Sequence, residues 1–251
     1  MAEQDVIVGA GEIGTGLYRL FQNGSRNLIA YDNDSNKIQF SNSMLKQRSC
    51  TILHICLPYT PKFLDKVIRY VKDFPCKELV IHSTVRPGTS SKLQERLDVP
   101  VVYSPVRGVH VRMLEDLRRY TKYWSTKDRG EVKFYPELLK KCNVKSEFWG
   151  STVKLELAKI LMDTTYYGWL ILFAQRVKVL CDRYGVDEPS IWGFTEEIHE
   201  FLGNRPLMFS GGGIVGHCVL QNLEILDDDF IDLVFTHDRI YRRHLREQNK
   251  K

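Results

Sequence analysis

The chain has 251 residues, of which 43% are apolar and 27% charged, with a formal net charge of +5; this balance is typical of a globular protein with one large or two modest domains. No apolar run approaches the roughly 20 residues of a membrane span. The N-terminus shows no secretory pattern, so we expect a cytoplasmic protein. The basic run at the C-terminus is more typical of a solvated helix end than of a nucleic-acid site, since no stacking aromatic residues accompany it.

Six cysteines are scattered without CxxC spacing, which indicates free thiols rather than a zinc site or a disulfide framework. We therefore expect no bound metal.

The first half alternates β-rich runs with amphipathic stretches such as 61–72. The strand-like runs are 5–10, 27–32, 51–58, 78–84, 99–105 and 121–126. Alternation at this spacing predicts a Rossmann-type α/β domain over residues 1–149, with a mostly parallel sheet covered by helices on both faces.

A GxGxxG turn lies between the first strand-like run and the first helical stretch. It reads Gly9-Ala10-Gly11-Glu12-Ile13-Gly14. In this context Gly9 permits the tight turn, Gly11 lets a pyrophosphate approach the backbone, and Gly14 allows close packing of helix on strand. The first amides of the helix then face the phosphates.

Asp32 ends the second strand-like run, 18 residues after Gly14. A carboxylate there would bond the ribose hydroxyls of a dinucleotide and repel a 2′-phosphate. Asp34 adds to the repulsion and Lys37 opposes it. The sequence therefore predicts a dinucleotide site that favours NAD over NADP.

Residues 150–251 read as an all-α domain. Residues 151–184 hold no proline and one internal glycine, so they predict a central helix roughly 50 Å long. Its apolar middle fits a core helix or a homodimer interface. Further helical segments follow near 188–202 and 224–246, and the glycine-rich stretch "SGGGIVGHC" between them leads to Cys218.

Several segments, in order over residues 3–222, resemble the UDP-glucose/GDP-mannose (nucleotide-sugar) dehydrogenase family. They are "VGAGEIGTGL", "ICLPYTP", "HSTVRPGTS", "YSPVRG", "LELAKILMDTTY" and "GGGIVGHC". The resemblance implies an NAD-dependent oxidation of an alcohol to an aldehyde and then, through a cysteine thiohemiacetal and thioester, to an acid.

The resemblance also implies roles for individual residues. Cys218 matches the nucleophilic thiol, and Lys159 matches the lysine that stabilises the thiolate and the oxyanions. Leu57 and Pro58 match the loop along the cofactor, and Thr84 matches the hydroxyl beside it.

The chain departs from the family pattern at several positions. Val106 replaces a glutamate that assists the hydrolysis steps. Asp163 and Asn222 replace an asparagine and an aspartate, so the pair reads as an exchange that keeps one carboxylate and one amide in the site.

Members of that family carry a third, C-terminal α/β domain, whereas only about thirty residues follow the site here. We therefore expect a smaller substrate or a second subunit that completes the pocket. Arg107 and Arg205 are candidates to hold an anionic, sugar-like substrate.

Three functions stay open on the sequence. The first is oxidation of an alcohol on a sugar or nucleotide sugar by Lys159 and Cys218. The second is a β-hydroxyacid-type dehydrogenase that uses Lys159 without the thiol. The third is an NAD-binding protein without catalysis.

Overall fold

The computed structural model describes residues 4–25, 27–34, 49–108, 112–203, 214 and 217–248, with the backbone alone at 217 and 218. The chain divides into two compact units, Met1–Lys159 and Ile160–Lys251. This division falls ten residues after the boundary that we placed at 149/150 from the sequence.

The first unit is built on a seven-stranded sheet with the order β2-β1-β3-β4-β5-β6-β7. Strands β1 to β5 run parallel, β6 is antiparallel to β5, and β7 is parallel to β6. The strands are β1 (Asp5–Val8), β2 (Leu28–Tyr31), β3 (Cys50–Ile55), β4 (Cys76–Ile81), β5 (Val101–Tyr103), β6 (Lys122–Thr126) and β7 (Ser146–Phe148). The predicted Rossmann-type, mostly parallel sheet is confirmed.

In the described part of the first unit, six helices connect and cover these strands. They are α1 (Glu12–Phe21), α2 (Phe63–Asp73), α3 (Thr89–Gln94), α4 (Met113–Arg119), α5 (Phe134–Lys141) and α6 (Thr152–Ala158), with a 3-10 turn at Arg129–Glu131. Every residue of β3 is buried because helices lie on both faces of the sheet. Ile52 packs into the cluster under α1, α4 and α5, while its neighbour Leu53 packs into the cluster under α2 and α3.

The second unit is helical over its described residues. Its helices are α7 (Tyr166–Tyr184), α8 (Glu188–Leu202), α9 (His217–Leu223) and α10 (Asp229–Gln248). α10 packs against α7, and Gln175 donates to the buried Asp238 over 3.2 Å. Gly168 lets α7 approach its neighbours, since a Cβ there would meet Val234 at 3.3 Å and Val219 at 3.4 Å.

The central helix differs from the uniform α-helix that we expected over 151–184. A π-helical segment, Lys159–Thr165, lies between α6 and α7. The wider π turn displaces the regular backbone bonds, and the Thr165 hydroxyl donates to the Ile160 carbonyl, five residues back, over 3.0 Å. The two compact units divide inside this segment.

The last helix begins at Asp229, five residues later than we expected. Asp228 sets the start, because its carboxylate accepts the Phe230 amide N–H over 2.9 Å in the manner of an N-cap.

Within the described residues, no helix combines the length and the apolar character needed to span a bilayer. The same part of the chain brings together no group of three or more histidine, cysteine, aspartate or glutamate side chains fit to hold a metal ion.

Candidate functional site

The glycine turn joins β1 to α1 at the carboxyl edge of the sheet, and its three glycines meet different constraints. Gly9 has a φ of +98°, and a Cβ there would lie 2.6 Å from the Cys56 carbonyl oxygen. A Cβ on Gly14 would lie 1.8 Å from the Gly9 carbonyl oxygen. A Cβ on Gly11 would meet nothing within 4 Å. Gly9 and Gly14 are therefore required by the fold, whereas Gly11 leaves open space above the turn.

Helix α1 begins directly beyond this space. Gly11 is its N-cap and offers no side chain to the first amides of the helix. Glu12 is exposed on the first turn, and Ile13 is half-buried against the core under α1. The first amides of α1 are thus available to an anionic group such as a pyrophosphate.

Asp32 ties the end of β2 to the glycine turn. Its carboxylate accepts the Ala10 amide N–H over 2.8 Å and the Asp34 amide N–H over 3.0 Å. Each carboxylate oxygen keeps a lone pair for a further donor, so Asp32 can still accept from ribose hydroxyls.

A cavity of about 260 Å³ opens between the ends of β2 and β3 and helix α2. Its lining residues are Tyr31, Asn33, Leu57, Pro58, Thr60, Lys66, Arg69, Tyr70 and Asp73. The Tyr31 hydroxyl donates to Asn33 Oδ1 over 3.2 Å, and the Tyr70 hydroxyl donates to the same oxygen over 3.4 Å. The Thr60 hydroxyl is buried with no hydrogen-bond partner among the described residues. The predicted cofactor residues Leu57 and Pro58 therefore lie in the wall of this cavity.

The segment after β4 carries two hydroxyls at the same edge. Thr84 is half-buried, and the Ser83 Oγ is buried without a partner in the described part of the chain. Helix α3 follows, preceded by Gly88 at a φ of +89°.

Glu156 caps α3, a role that sequence reasoning missed. Its carboxylate accepts the Gly88 amide N–H over 2.6 Å, the Ser90 amide N–H over 2.9 Å and the Ser90 hydroxyl over 2.6 Å. Burial raises the pKa of Glu156, and the hydrogen bonds from Ser90 and Gly88 oppose the rise. Glu156 lies three residues before Lys159 on one helical stretch, and this spacing was the signal that could have drawn attention to Glu156.

The two predicted catalytic residues of the central helix both lie in the π-helical segment. Lys159 is half-buried and close enough to the buried Lys122 for the two positive charges to repel. Asp163 is also half-buried. π-Helical turns occur frequently at functional sites, which fits two candidate site residues in a single segment.

Arg107, predicted to bind substrate, is largely engaged within the first unit. Its Nη2 donates to the Thr121 carbonyl over 3.0 Å, and its guanidinium lies over the rings of Tyr123, 4.9 Å from the centroid, and Tyr120, 5.5 Å away. The neighbouring Val106 is buried in the core under α1, α4 and α5. Arg107 therefore fastens the turn after β5 to the start of β6.

The structure describes the remaining predicted site residues only in part. Arg205 lies outside the described residues. Cys218 is the second residue of α9, but its side chain also lies outside the described part. Asn222 is half-buried on the same helix. The expected pairing of Asp163 with Asn222 stays a prediction.

No protein-family model matches the chain, and no curated protein matches it in sequence. Solved structures resemble it over almost its whole length. A UDP-D-ManNAc dehydrogenase from Pyrococcus horikoshii superposes with a TM-score of 0.76 at 18% identity, over 95% of this chain and 68% of that one. A UDP-glucose dehydrogenase from the archaeon Pyrobaculum islandicum gives a TM-score of 0.73 at 17% identity, over 96% of this chain and 68% of that one.

A third structure aligns with this chain over nearly the whole length of each. The Mycobacterium tuberculosis 3-hydroxyisobutyrate dehydrogenase gives a TM-score of 0.68 at 12% identity, over 97% of this chain and 94% of its own. The fold resembled in all three cases is a Rossmann-type unit followed by a helical unit. This chain therefore has the fold of these dehydrogenases.

Proposed function

We propose that the protein is an NAD-dependent dehydrogenase that oxidises an alcohol group of a sugar or nucleotide sugar. The observation that carries the proposal is the glycine turn with open space over Gly11, next to Asp32 and the cavity at the end of β2. Each part matches one part of a dinucleotide: the turn its pyrophosphate, the carboxylate its ribose, and the cavity its adenine.

The residues present fit such a cofactor. The amides at the start of α1 would hold the pyrophosphate, and Asp32 would accept from the ribose hydroxyls. The unpartnered hydroxyls of Thr60 and Ser83 lie at the same edge of the sheet and would gain partners. When bound, the cofactor supplies the hydride acceptor. The carboxylate of Asp32 favours NAD over the phosphorylated form, because a 2′-phosphate would be repelled.

The catalytic part rests on the resemblance and on the named structures. Lys159 would contact the substrate oxygen and stabilise negative charge that develops on it. Cys218 would attack the aldehyde as a thiolate. Asp163 and Asn222 would supply one carboxylate and one amide.

One observation favours a second candidate, a β-hydroxyacid-type dehydrogenase that needs no thiol. The hydroxyisobutyrate dehydrogenase structure matches this chain over nearly the full length of both. In addition, buried Val106 cannot act on a hydrolytic water as a glutamate can. In this alternative Lys159 keeps its role and Cys218 is dispensable.

We also propose that a second copy of the chain covers one face of α8. None of the described residues of α8 is buried, and Ile191, Phe194, Ile198, Phe201 and Leu202 recur at helical spacing along it. Phe194 and Phe201 are 84% and 86% exposed. These two rings alone expose about 300 Å² of apolar surface, already the size of the largest patch on a typical monomer and a substantial part of the roughly 800 Å² per partner of a stable interface.

The cofactor proposal is tested by calorimetric titration with NADH and NADPH. We expect NADH to bind more tightly, Gly11→Val to abolish binding, and Gly193→Val, at an equally open position on α8, to leave binding unchanged. Binding of neither dinucleotide to the unaltered protein would refute the proposal.

The substrate is tested by turnover of UDP-sugars, GDP-sugars and 3-hydroxy acids with NAD. A Cys218→Ser variant that loses oxidation of the sugar nucleotides supports the thiol mechanism. Unchanged turnover of a hydroxy acid by the same variant supports the second candidate. Tight NADH binding without turnover of any of them would indicate an NAD-binding protein without catalysis.

The dimer is tested by sedimentation equilibrium. We expect Phe194→Glu with Phe201→Glu to give monomers, and Lys92→Glu, an exposed charge change in the first unit, to leave the dimer intact. A monomeric unaltered protein would contradict the proposal.

A further inference from the structure

A row of buried polar side chains crosses four neighbouring strands of the first unit, on the face covered by α1 and α5. His54 in β3 contacts His82 after β4, with 3.0 Å between Nδ1 and Nε2. His82 Nδ1 lies 2.8 Å from the Ser104 carbonyl oxygen after β5. Lys122, the first residue of β6, reaches the same carbonyl over 2.7 Å. All four residues are almost fully buried.

The contacts fix the proton on each histidine. His82 Nδ1 faces a carbonyl oxygen, which can only accept, so this nitrogen carries the proton. Its Nε2 then accepts from His54 Nδ1–H. Both rings are neutral, because burial lowers the pKa of His54 to about 3 and that of His82 in the same direction.

Lys122 is held by two backbone carbonyls. Its Nζ donates to the Ser104 oxygen over 2.7 Å and to the Pro105 oxygen over 2.8 Å. The 3.4 Å contact to His82 Nδ1 offers no acceptor, since that nitrogen is itself protonated. Burial lowers the pKa of Lys122, and the positive charges of Lys159 and Arg107 act in the same direction. The amine therefore has a donor for each of the two carbonyls.

These two bonds determine the direction of the next peptide group. The peptide between Pro105 and Val106 is trans and planar, so its C=O and N–H point in opposite directions. Since the Pro105 carbonyl points into the core toward Lys122, the Val106 N–H points away from Lys122. Among the described residues this N–H has no acceptor. A backbone donor at the carboxyl edge is therefore directed away from the polar row.

We infer that Lys122 is a positioning residue, which orients the Ser104–Val106 turn so that the Val106 N–H donates to a carbonyl oxygen of a bound ligand. The inference rests on the proposed cofactor, whose nicotinamide ring carries an amide carbonyl. Lys122 itself contacts no ligand and acts through the backbone of the turn. Arg107 secures the other end of the same turn at Thr121.

The test compares NADH with ADP-ribose, which lacks the nicotinamide, by calorimetric titration. Lys122→Met keeps the length of the side chain and removes its donors. We expect it to weaken NADH binding about tenfold, the effect of one lost hydrogen bond, and to leave ADP-ribose binding unchanged. Lys122→Arg, which restores donors, should recover part of the NADH affinity.

The matched control is Tyr135→Phe. It removes the hydroxyl that donates to Ser104 Oγ over 2.8 Å, in the same buried row, but leaves both turn carbonyls on Lys122. We expect it to bind NADH as the unaltered protein does. Equal weakening of NADH and ADP-ribose by Lys122→Met would overturn the inference, because it would indicate a general structural role.

A measurement on the unaltered protein covers the case in which Lys122→Met does not fold. Amide hydrogen exchange of Val106, followed by NMR, should slow on addition of NADH and stay unchanged with ADP-ribose. Equal protection by both ligands would overturn the inference, whereas failure of both ligands to bind would instead refute the proposed cofactor.

Discussion

Acidification should destabilise the first unit through its buried histidine pair. Burial lowers the pKa of His54 from 6.5 to about 3, with the positive charge of Lys122 as a smaller cause. The unfolded chain therefore binds more protons than the folded one between these two values. The contribution of neutral His54 to the free energy of unfolding is therefore fully present above pH 6.5 and is lost as the pH falls toward 3.

The size of the effect follows from the shift. Between pH 7 and pH 5 the unfolded chain gains a proton at this site and the folded chain does not, which lowers the free energy of unfolding by about 2 kcal/mol. His82 shifts in the same direction, so it adds to the loss over that interval.

The assay is urea unfolding at a series of pH values, in a Trp169→Phe/Trp192→Phe background. Fluorescence then reports the first unit through its own tryptophans. His54→Asn keeps a donor at the Nδ1 position and removes the titration, so we expect a lower stability at pH 7 and a pH 7-to-5 loss that is smaller by about 2 kcal/mol.

The control for this assay is Tyr135→Phe. It should lower the stability by a similar amount at every pH, since it removes a buried hydrogen bond and no group that titrates in this range. An unaltered pH dependence in His54→Asn would refute the assignment of the neutral histidine pair.

Five further substitutions test the local geometry by urea or thermal unfolding. Gly14→Ala should destabilise the protein by about 3 kcal/mol or more, because its Cβ would lie 1.8 Å from a backbone oxygen. Gly11→Ala should change the stability by less than about 0.5 kcal/mol, since its Cβ would meet nothing within 4 Å. Equal effects of the two substitutions would contradict the geometry of the turn. Glu156→Gln should cost about 2 to 4 kcal/mol, because an amide nitrogen would face hydrogen-bond donors, and a neutral result would show that the cap is not formed. Gly185→Ala should destabilise the protein by about 1 kcal/mol, because Gly185 has a φ of +64° at the end of α7. Gly193→Ala, inside α8, should stabilise it by about 0.5 to 1 kcal/mol. A change in stability of the same sign for both would exclude the left-handed cap at Gly185.

The predicted parts of the fold are those that local patterns determine. Apolar residues recur in the strand runs and in α2 at the spacing typical of a strand or a helix, respectively. The glycine turn has a fixed place between a strand and a helix. β7 was missed because it is three residues long and two of them, Ser146 and Glu147, are exposed. The π-helical segment was missed because its residues carry no pattern that separates them from an α-helix.

The polar row could not be predicted for a different reason. His82 and Lys122 are residue types usually found at the surface or in functional sites, and only the order of the strands places them beside each other. Their partners are mostly backbone carbonyls, which the sequence does not distinguish. Glu156 and its partners at the start of α3 are likewise 66 to 68 residues apart in the chain.

The residues that match a dinucleotide-binding pattern do not argue equally for a ligand. Gly9 and Gly14 are required by contacts inside the fold, and Asp32 already accepts two backbone amides, so each would be retained in a protein that binds nothing. The hydroxyls of Thr60 and Ser83 differ, because each is buried without a partner in the described part of the chain. A buried unsatisfied hydroxyl costs about 1 to 3 kcal/mol, which the fold alone does not recover. A ligand that bonds to both would recover it, and their place at the carboxyl edge is where the proposed cofactor would lie.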